Sequence, residues 1–532
     1  MSEPDDAEPG SADGWTRTVD VLVVGFGAAG GVAAIEAADA GAVVEVIEKM
    51  PFPGGLSAVS AGGIRCTTDA AAAFAYLRAT CGGKTPDDVL ETLADGMSSV
   101  QAYLDRLAAA CGATVKLLPA VGNYPLPGYE TLDFCQVDEV PSLAGATAWH
   151  AVEGPRDGAK LIAVLEANMA ARDVPVRLAT PARRLIRDAT GRVVGVVAEE
   201  GGKPVRIGVR RGVVLACGGF ENNAAMQAQY FETGPVIPGS FLGNTGDGIT
   251  MAQEAGAALW HMWHYHGPYG IRHPNPEYLL GFYMKALPMW TPGREDEVSS
   301  LGVTDAKGKP SRSKSVVRVP WILLDQEGRR FMDEYPPYMS DTSVRHFDTF
   351  DPKTQQYPRL PAFALLDENG RKQFAIGRSV ANDLTHRYVW SADNSAEIEL
   401  GMLKQANTLA ELASKTGLPQ AELEASVSLW NRDCDEGADK AFGRRPDTMM
   451  PIETPPFVAA EVWPMVINTH GGPVHDRNQR VLNPFGEPIS GLYAAGELGS
   501  VFGHIYLAGG NLAECIVGGR IAGQQAARAE TA

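Results

Sequence analysis

The sequence has no surplus of positive charge: 46 Lys and Arg stand against 64 Asp and Glu among 532 residues, a formal charge of −18. Affinity for phosphodiesters rests on clustered Lys and Arg, so this balance argues against nucleic acid and anionic lipid as partners. No run of about 18 apolar residues occurs, so no transmembrane segment is expected. The opening MSEPDDAEPGSADGW holds five acids and no base before Arg17, whereas a secretory leader needs a basic start and an apolar run. Residues 1–16 therefore read as a disordered acidic tail. The seven cysteines are scattered, without any C-x-x-C. That pattern suits reduced thiols in a cytoplasmic protein and offers no ligand set for an iron–sulfur cluster or structural zinc, so no metal is expected.

Glycine is abundant, at 59 residues, and its placement carries most of the functional information. Residues 19–24, VDVLVV, form a β-branched run that suits a buried parallel strand. The run enters Gly25-Phe26-Gly27-Ala28-Ala29-Gly30, then an alanine-rich helix ended by Gly41, then a second strand, VVEVIE, closing on Glu48. Each part suits a dinucleotide. Gly25 permits the tight turn, Gly27 lets backbone approach a pyrophosphate, and Gly30 lets helix pack on strand; the helix N-terminus offers N–H groups, and Glu48 can take ribose hydroxyls. No second strand–GxGxxG–helix unit follows, so a resident nicotinamide domain is not expected and the electron partner is external and unnamed.

Further glycine-rich segments recur along the chain. Lys49 leads into Gly54-Gly55-Leu56-Ser57-Ala58-Val59-Ser60-Ala61-Gly62-Gly63, a loop of small residues able to approach a flat ring. Residues 183–200 predict two strands with a turn, followed by Val213-Val214-Leu215-Ala216-Cys217-Gly218-Gly219-Phe220; Gly491-Leu492-Tyr493-Ala494-Ala495-Gly496-Glu497 stands near the end. With Thr245-Gly246-Asp247-Gly248 and Gly509-Gly510-Asn511, this ordered set resembles the fumarate reductase/succinate dehydrogenase flavoprotein superfamily from about residue 17 onward.

The resemblance implies an α/β fold: a discontinuous Rossmann-like FAD-binding domain, 17–265 plus 456–532, with an inserted α+β capping domain, 266–455. It implies FAD held by Gly25, Gly27, Ala28, Ala29, Gly30, Glu48, Lys49, Gly54, Gly55, Leu56, Ser57, Ser60, Gly62, Gly63, Ala216, Gly218, Asp247, His470, Gly496, Glu497, Asn511 and Leu512. Covalently flavinylated members use a histidine near the Gly-Gly-Ser loop; this chain has Ser57 and Ser60 there, so the FAD is expected to be noncovalent.

The fumarate-type carboxylate clamp is missing. Leu507 stands where its Arg would be and Asn468 where its His would be, and in Arg330-Phe331-Met332-Asp333-Glu334-Tyr335-Pro336-Pro337-Tyr338 the proton-donating Arg is replaced by Tyr338. Tyr338 instead matches the base of 3-ketosteroid 1-dehydrogenases, and Tyr506 with Gly510 matches the pair that binds their ketone oxygen. Tyr124 and Tyr129 are candidates for an assisting tyrosine. The run Gly510-Asn511-Leu512 is closer to the reductase branch.

The implied reaction is α,β-desaturation of a cyclic ketone, 3-ketosteroids included. Two alternatives stay open: a flavin-dependent reductase of an activated C=C, and a flavin redox sensor without turnover. Eight aromatic residues between Trp260 and Trp290 suit a flat apolar ketone or enone, or equally the core of the cap. One histidine among His261, His264 and His266, or else His504, is a candidate for contact with flavin or substrate. Residues 396–437 predict two surface helices split at Gly417-Leu418-Pro419. With base and oxyanion donors on different domains, closure of the cap would assemble the site.

Overall fold

The computed structural model describes residues 14–118, 124–150, 152–153, 157–299, 318–337, 343–378 and 386–531. Five strands carry the argument: β1 (Arg17–Val24), β2 (Val44–Ile47), β3 (Lys203–Leu215), β4 (Phe457–Val466) and β5 (Pro488–Ala494). The apolar run of β1 is buried over its last four residues, as a strand covered on both faces requires. β5, β3, β1 and β2 lie side by side and parallel in an eight-stranded sheet. Val24 faces Ile47 and Leu215, and Leu215 faces Ala494, so the strands end in one line although they come from opposite ends of the chain.

Four helices matter to the site: α1 (Ala28–Asp39), α2 (Gly55–Val59), α3 (Asp157–Ala170) and α4 (Gly510–Arg528). α1 is buried along its first ten residues, packed on α3 and α4. Small side chains allow the approach: a Cβ on Gly519 would lie 2.7 Å from the Ala29 carbonyl oxygen. The predicted hairpin forms from Ala182–Arg187 and Val193–Glu200, and the latter pairs antiparallel with the first half of β3. Thr16 N–H donates to the Arg206 carbonyl (2.8 Å), and Trp15 lies over Gly195 and Gly208. Residues 15 and 16 are thus tied to the sheet, although the sequence places them in the acidic tail; residues 1–13 lie outside the described ones.

A second eight-stranded sheet has β4 at its centre, paired with Ile237–Pro238, Tyr269–Ile271, Ala362–Leu366 and Leu403–Ala406. The sequence expectation of an FAD-binding domain over 17–265 plus 456–532 includes both β4 and Ile237–Pro238, which lie in this second sheet instead. β4 is buried on both faces, which makes it a central strand, and the chain regains the first sheet only beyond it. The helix pair is Leu409–Thr416 and Gln420–Glu436, parted by Gly417 at φ +80°, but a strand, Leu403–Ala406, precedes it. Tyr269, Phe282 and Trp290 are buried in the second core with Trp321 and Trp390, so these aromatics of the 260–290 segment build the cap. Trp263 is 42% exposed. Among the described residues, no helix is long and apolar enough to cross a membrane.

Candidate active site

The chain leaves β1 through Gly25 at φ +102°, where any Cβ would strike the Ala216 carbonyl, and enters α1 at Gly27. A Cβ on Gly30 would strike the Gly25 carbonyl, so the glycine spacing closes the turn. At the carboxyl ends of β1, β2 and β3 a cleft opens, the place where sheets of this topology take their ligands. Gly25, Gly27, Ala28, Ala29, Glu48, Lys49, Gly55, Leu56, Ser57, Ala216, Gly218, Asp247 and Glu497, all residues that the resemblance assigns to FAD, line it. Thr180, Phe241 and Asn244 also line it and were missed. Asn244 immediately precedes the Thr245-Gly246-Asp247 motif, which was the available signal.

The cleft is built for a polyanion with hydroxyls. α1 has no acid in its first turn and no capping side chain on Gly27; the Ser57 hydroxyl accepts from Ala28 N–H (3.1 Å). That leaves a helix N-terminus turned to the cleft, the usual seat of a pyrophosphate. Glu48 accepts from Phe26 N–H (2.7 Å) and Met50 N–H (2.8 Å), and burial pushes its carboxyl up. Lys49 Nζ donates to Thr245 Oγ1 (2.6 Å) and pairs with Asp247 (2.8 Å), which positions a cation at the rim. These features fit FAD.

The other expected cofactor residues sit behind or beyond the cleft. Gly54 N–H donates to the Phe26 carbonyl (2.6 Å), and Ser60 Oγ donates to the Ser57 carbonyl (2.7 Å) and accepts from Gly62 N–H (3.1 Å). Gly63 lies against Phe134, and Gly496 against Ala29 and Cys515. Leu512 is buried in α4.

Asn511 and His470 belong to a second constellation, around Tyr506. The Tyr506 ring is buried, 4.4 Å from the His266 ring, 5.1 Å from His470 and 5.2 Å from Phe502, centroid to centroid. Its hydroxyl accepts from Asn511 N–H (3.4 Å), and burial pushes its pKa up. Asn511 bonds to Asn468 and Glu514, and His266 Nδ1 meets Asn468 Oδ1 (2.9 Å). Glu514 accepts from Ser500 Oγ and Val501 N–H (both 3.1 Å), and Ser500 Oγ meets His470 Nδ1 (3.1 Å). His470 Nε2 is buried without a partner among the described residues. Burial, with His264 and His266 adding like charge, holds His470 well below the usual imidazole range, so it is neutral.

Gly510 differs from expectation. Its N–H donates to the Leu507 carbonyl (2.7 Å) inside the turn that starts α4, and so is not turned outward as an oxyanion donor. Tyr338 lies outside the described residues. Arg330 and Glu334 of the same motif form a buried ion network with Arg444 and Asp439 that folds the cap. Tyr124 and Tyr129 pack, half-buried, against the core that holds Tyr506, and Tyr129 opens a one-turn 3-10 helix. His261 Nδ1 meets the Ser500 carbonyl (2.9 Å) and His264 Nδ1 the Phe502 carbonyl (2.6 Å), which fixes both rings. Arg345 bonds to the His504 carbonyl and approaches His264 Nε2 (3.3 Å). Among the described residues, no group of three or more His, Cys, Asp or Glu could hold a metal.

Residues 20–512 match the family described as FAD binding domain. The chain belongs to that family. It is an FAD-dependent oxidoreductase related to ketosteroid dehydrogenases and fumarate reductases. It is 28% identical to the 3-oxosteroid 1-dehydrogenase of Mycobacterium tuberculosis, over 92% of this chain and 94% of that one. It is 27% identical to a probable fumarate reductase of Shewanella frigidimarina, over 99% of this chain and 78% of the relative. The fold matches a crystal structure of 3-ketosteroid delta1-dehydrogenase from Sterolibacterium denitrificans with a TM-score of 0.75 at 24% identity, covering 96% of this chain and all (100%) of that one.

Proposed function

We propose that this chain desaturates a cyclic ketone between its α and β carbons, 3-ketosteroids being the leading substrate class. The observation that carries the reading is Tyr506, buried at the N-terminus of α4 with its hydroxyl against Asn511 N–H, at a place where Leu507 and the tied-down Asn468 replace a carboxylate clamp. FAD, when bound, supplies the hydride acceptor. Tyr338, as tyrosinate or through a relay that carries its own proton away, takes the α proton, and Tyr506 O–H holds the ketone oxygen as enolate charge develops. One such donor is worth about 3–4 kcal/mol to the transition state. A tyrosine of pKa about 10 is an uphill base for a ketone α C–H, so the two tyrosines act only together. Gly510 N–H joins them only if the Leu507–Gly510 turn opens.

A second reading runs the chemistry in reverse, as reduction of an enone by an external donor. Asn511, which continues the reductase-like run and bridges Asn468 to Glu514, favours it. Tyr338→Phe tests the leading reading: FAD stays bound, while reduction of the flavin by a ketone substrate is lost by a factor of about 10² or more. Unchanged reduction refutes the assignment of the base.

A further inference from the structure

The adjacent parallel strands β3 and β5 each end in small residues and glycine and then place a glutamate: Glu221 after Gly218-Gly219-Phe220, and Glu497 after Ala495-Gly496. The two loops bring these carboxyls together. Glu221 Oε1 and Glu497 Oε1 both accept from the same donor, Thr469 N–H, each at 3.0 Å. A Cβ built on Gly219 would stand 3.0 Å from Glu497 Oε1 and 3.1 Å from Glu221 Oε1, so both oxygens converge on one point. Asn244 Nδ2 donates to the remaining Glu497 oxygen (3.1 Å), and Glu221 Oε2 has no partner among the described residues. The residues are 2% and 8% exposed, and among the described residues neither makes a salt bridge. Glu497, Asn244 and Gly218 line the FAD cleft; Glu221 stands behind them.

One N–H cannot serve two ionised carboxylates that also face each other out of water. Two like charges at such range cannot both persist, and the pair titrates as a unit. Burial pushes both carboxyls up, and Glu221 pushes Glu497 further; Glu514, a further buried acid near Glu497, is itself pushed up to about 8 and so keeps its proton at pH 7. Reduction of a bound flavin adds electrons to the same cleft, so the charge in its wall bears directly on how readily that happens.

We propose that Glu221 and Glu497 share one proton in the holoprotein, so that the wall of the FAD cleft carries one negative charge there instead of two. Glu221 is then a positioning residue, acting on the cofactor through Glu497. The inference rests on FAD binding alone and is independent of the substrate and the direction of the reaction.

Anaerobic reductive titration of the holoprotein at pH 7 reads the flavin midpoint potential. Glu221→Gln exchanges a neutral carboxyl for a neutral amide and leaves the potential unchanged, whereas Glu221→Gln/Glu497→Gln removes the one charge and raises it. If Glu221→Gln alone raises the potential as much as the second substitution does, the pair is doubly ionised and the proposal is overturned. Should the double variant lose FAD, infrared spectra of the holoproteins decide. At pH 7 a protonated-carboxyl stretch additional to that of Glu514 is present in the wild type, is lost in Glu221→Gln and persists in Glu514→Gln, where the Glu514 stretch alone disappears; identical spectra for wild type and Glu221→Gln overturn the proposal.

Discussion

Glu514 illustrates how burial sets chemistry at single residues. It is fully buried, hydrogen-bonded to Ser500, Val501 and Asn511, and burial pushes its pKa up to about 8. Since the folded value lies above the usual 4.5, the native state holds a proton the unfolded chain has lost. The contribution of Glu514 to stability is therefore fully present at low pH and is lost as pH rises from 4.5 to about 8, by an amount on the order of a few kcal/mol. Glu514→Gln keeps a neutral side chain and flattens that fall. Thermal midpoints measured from pH 5 to pH 8 check this, and parallel wild-type and variant curves contradict it. The sequence pointed to Tyr506 and to most of the cleft because those residues sit in motifs of fixed spacing. It did not reveal Glu221, Ser500 or Glu514, since convergence of groups far apart in the chain is set by strand order. Nor could it show that Gly510 N–H is held by Leu507, a matter of turn geometry.

At the scale of elements, the β1–α1 turn is a tight junction of the site. Gly25 is left-handed at φ +102° and its absent Cβ is replaced by the Ala216 carbonyl, so Gly25→Ala strains the backbone and pushes β3 away. We expect a loss of about 1–3 kcal/mol in stability and most of the bound FAD. FAD per chain after gel filtration measures this; full occupancy in the variant contradicts it. The β–glycine–α–β unit was legible because its signals are local. The sheet that receives β4 is not legible in its sequence, because an apolar strand reads alike whichever sheet it joins. The same ambiguity hid the strand Leu403–Ala406 ahead of the helix pair, while the break at Gly417 and Pro419 was plain.

Among the described residues the two eight-stranded sheets dominate the molecule, the first built from both ends of the chain and the second centred on β4, and hydrophobic clusters pack on each. In the second unit, Glu334 is fully buried between Arg330 (2.7 Å) and Arg444 (3.1 Å). Glu334→Ala leaves two guanidiniums short of a partner and lowers stability by about 3–5 kcal/mol. Because the FAD cleft lies on the first sheet, the folded variant still binds FAD at low temperature. Calorimetry with flavin absorbance checks both halves of that expectation, and loss of FAD before unfolding contradicts it. The acidic surface and missing arginine clamp disfavour an anionic substrate, and Tyr506 favours a neutral oxygen acceptor. The most direct test mixes the oxidised holoprotein anaerobically with a panel of saturated cyclic ketones, 3-ketosteroids among them, while following flavin absorbance. The account predicts bleaching by a ketone with formation of the α,β-unsaturated product. No bleaching by any ketone, together with rapid reoxidation of the reduced protein by enones, would contradict it.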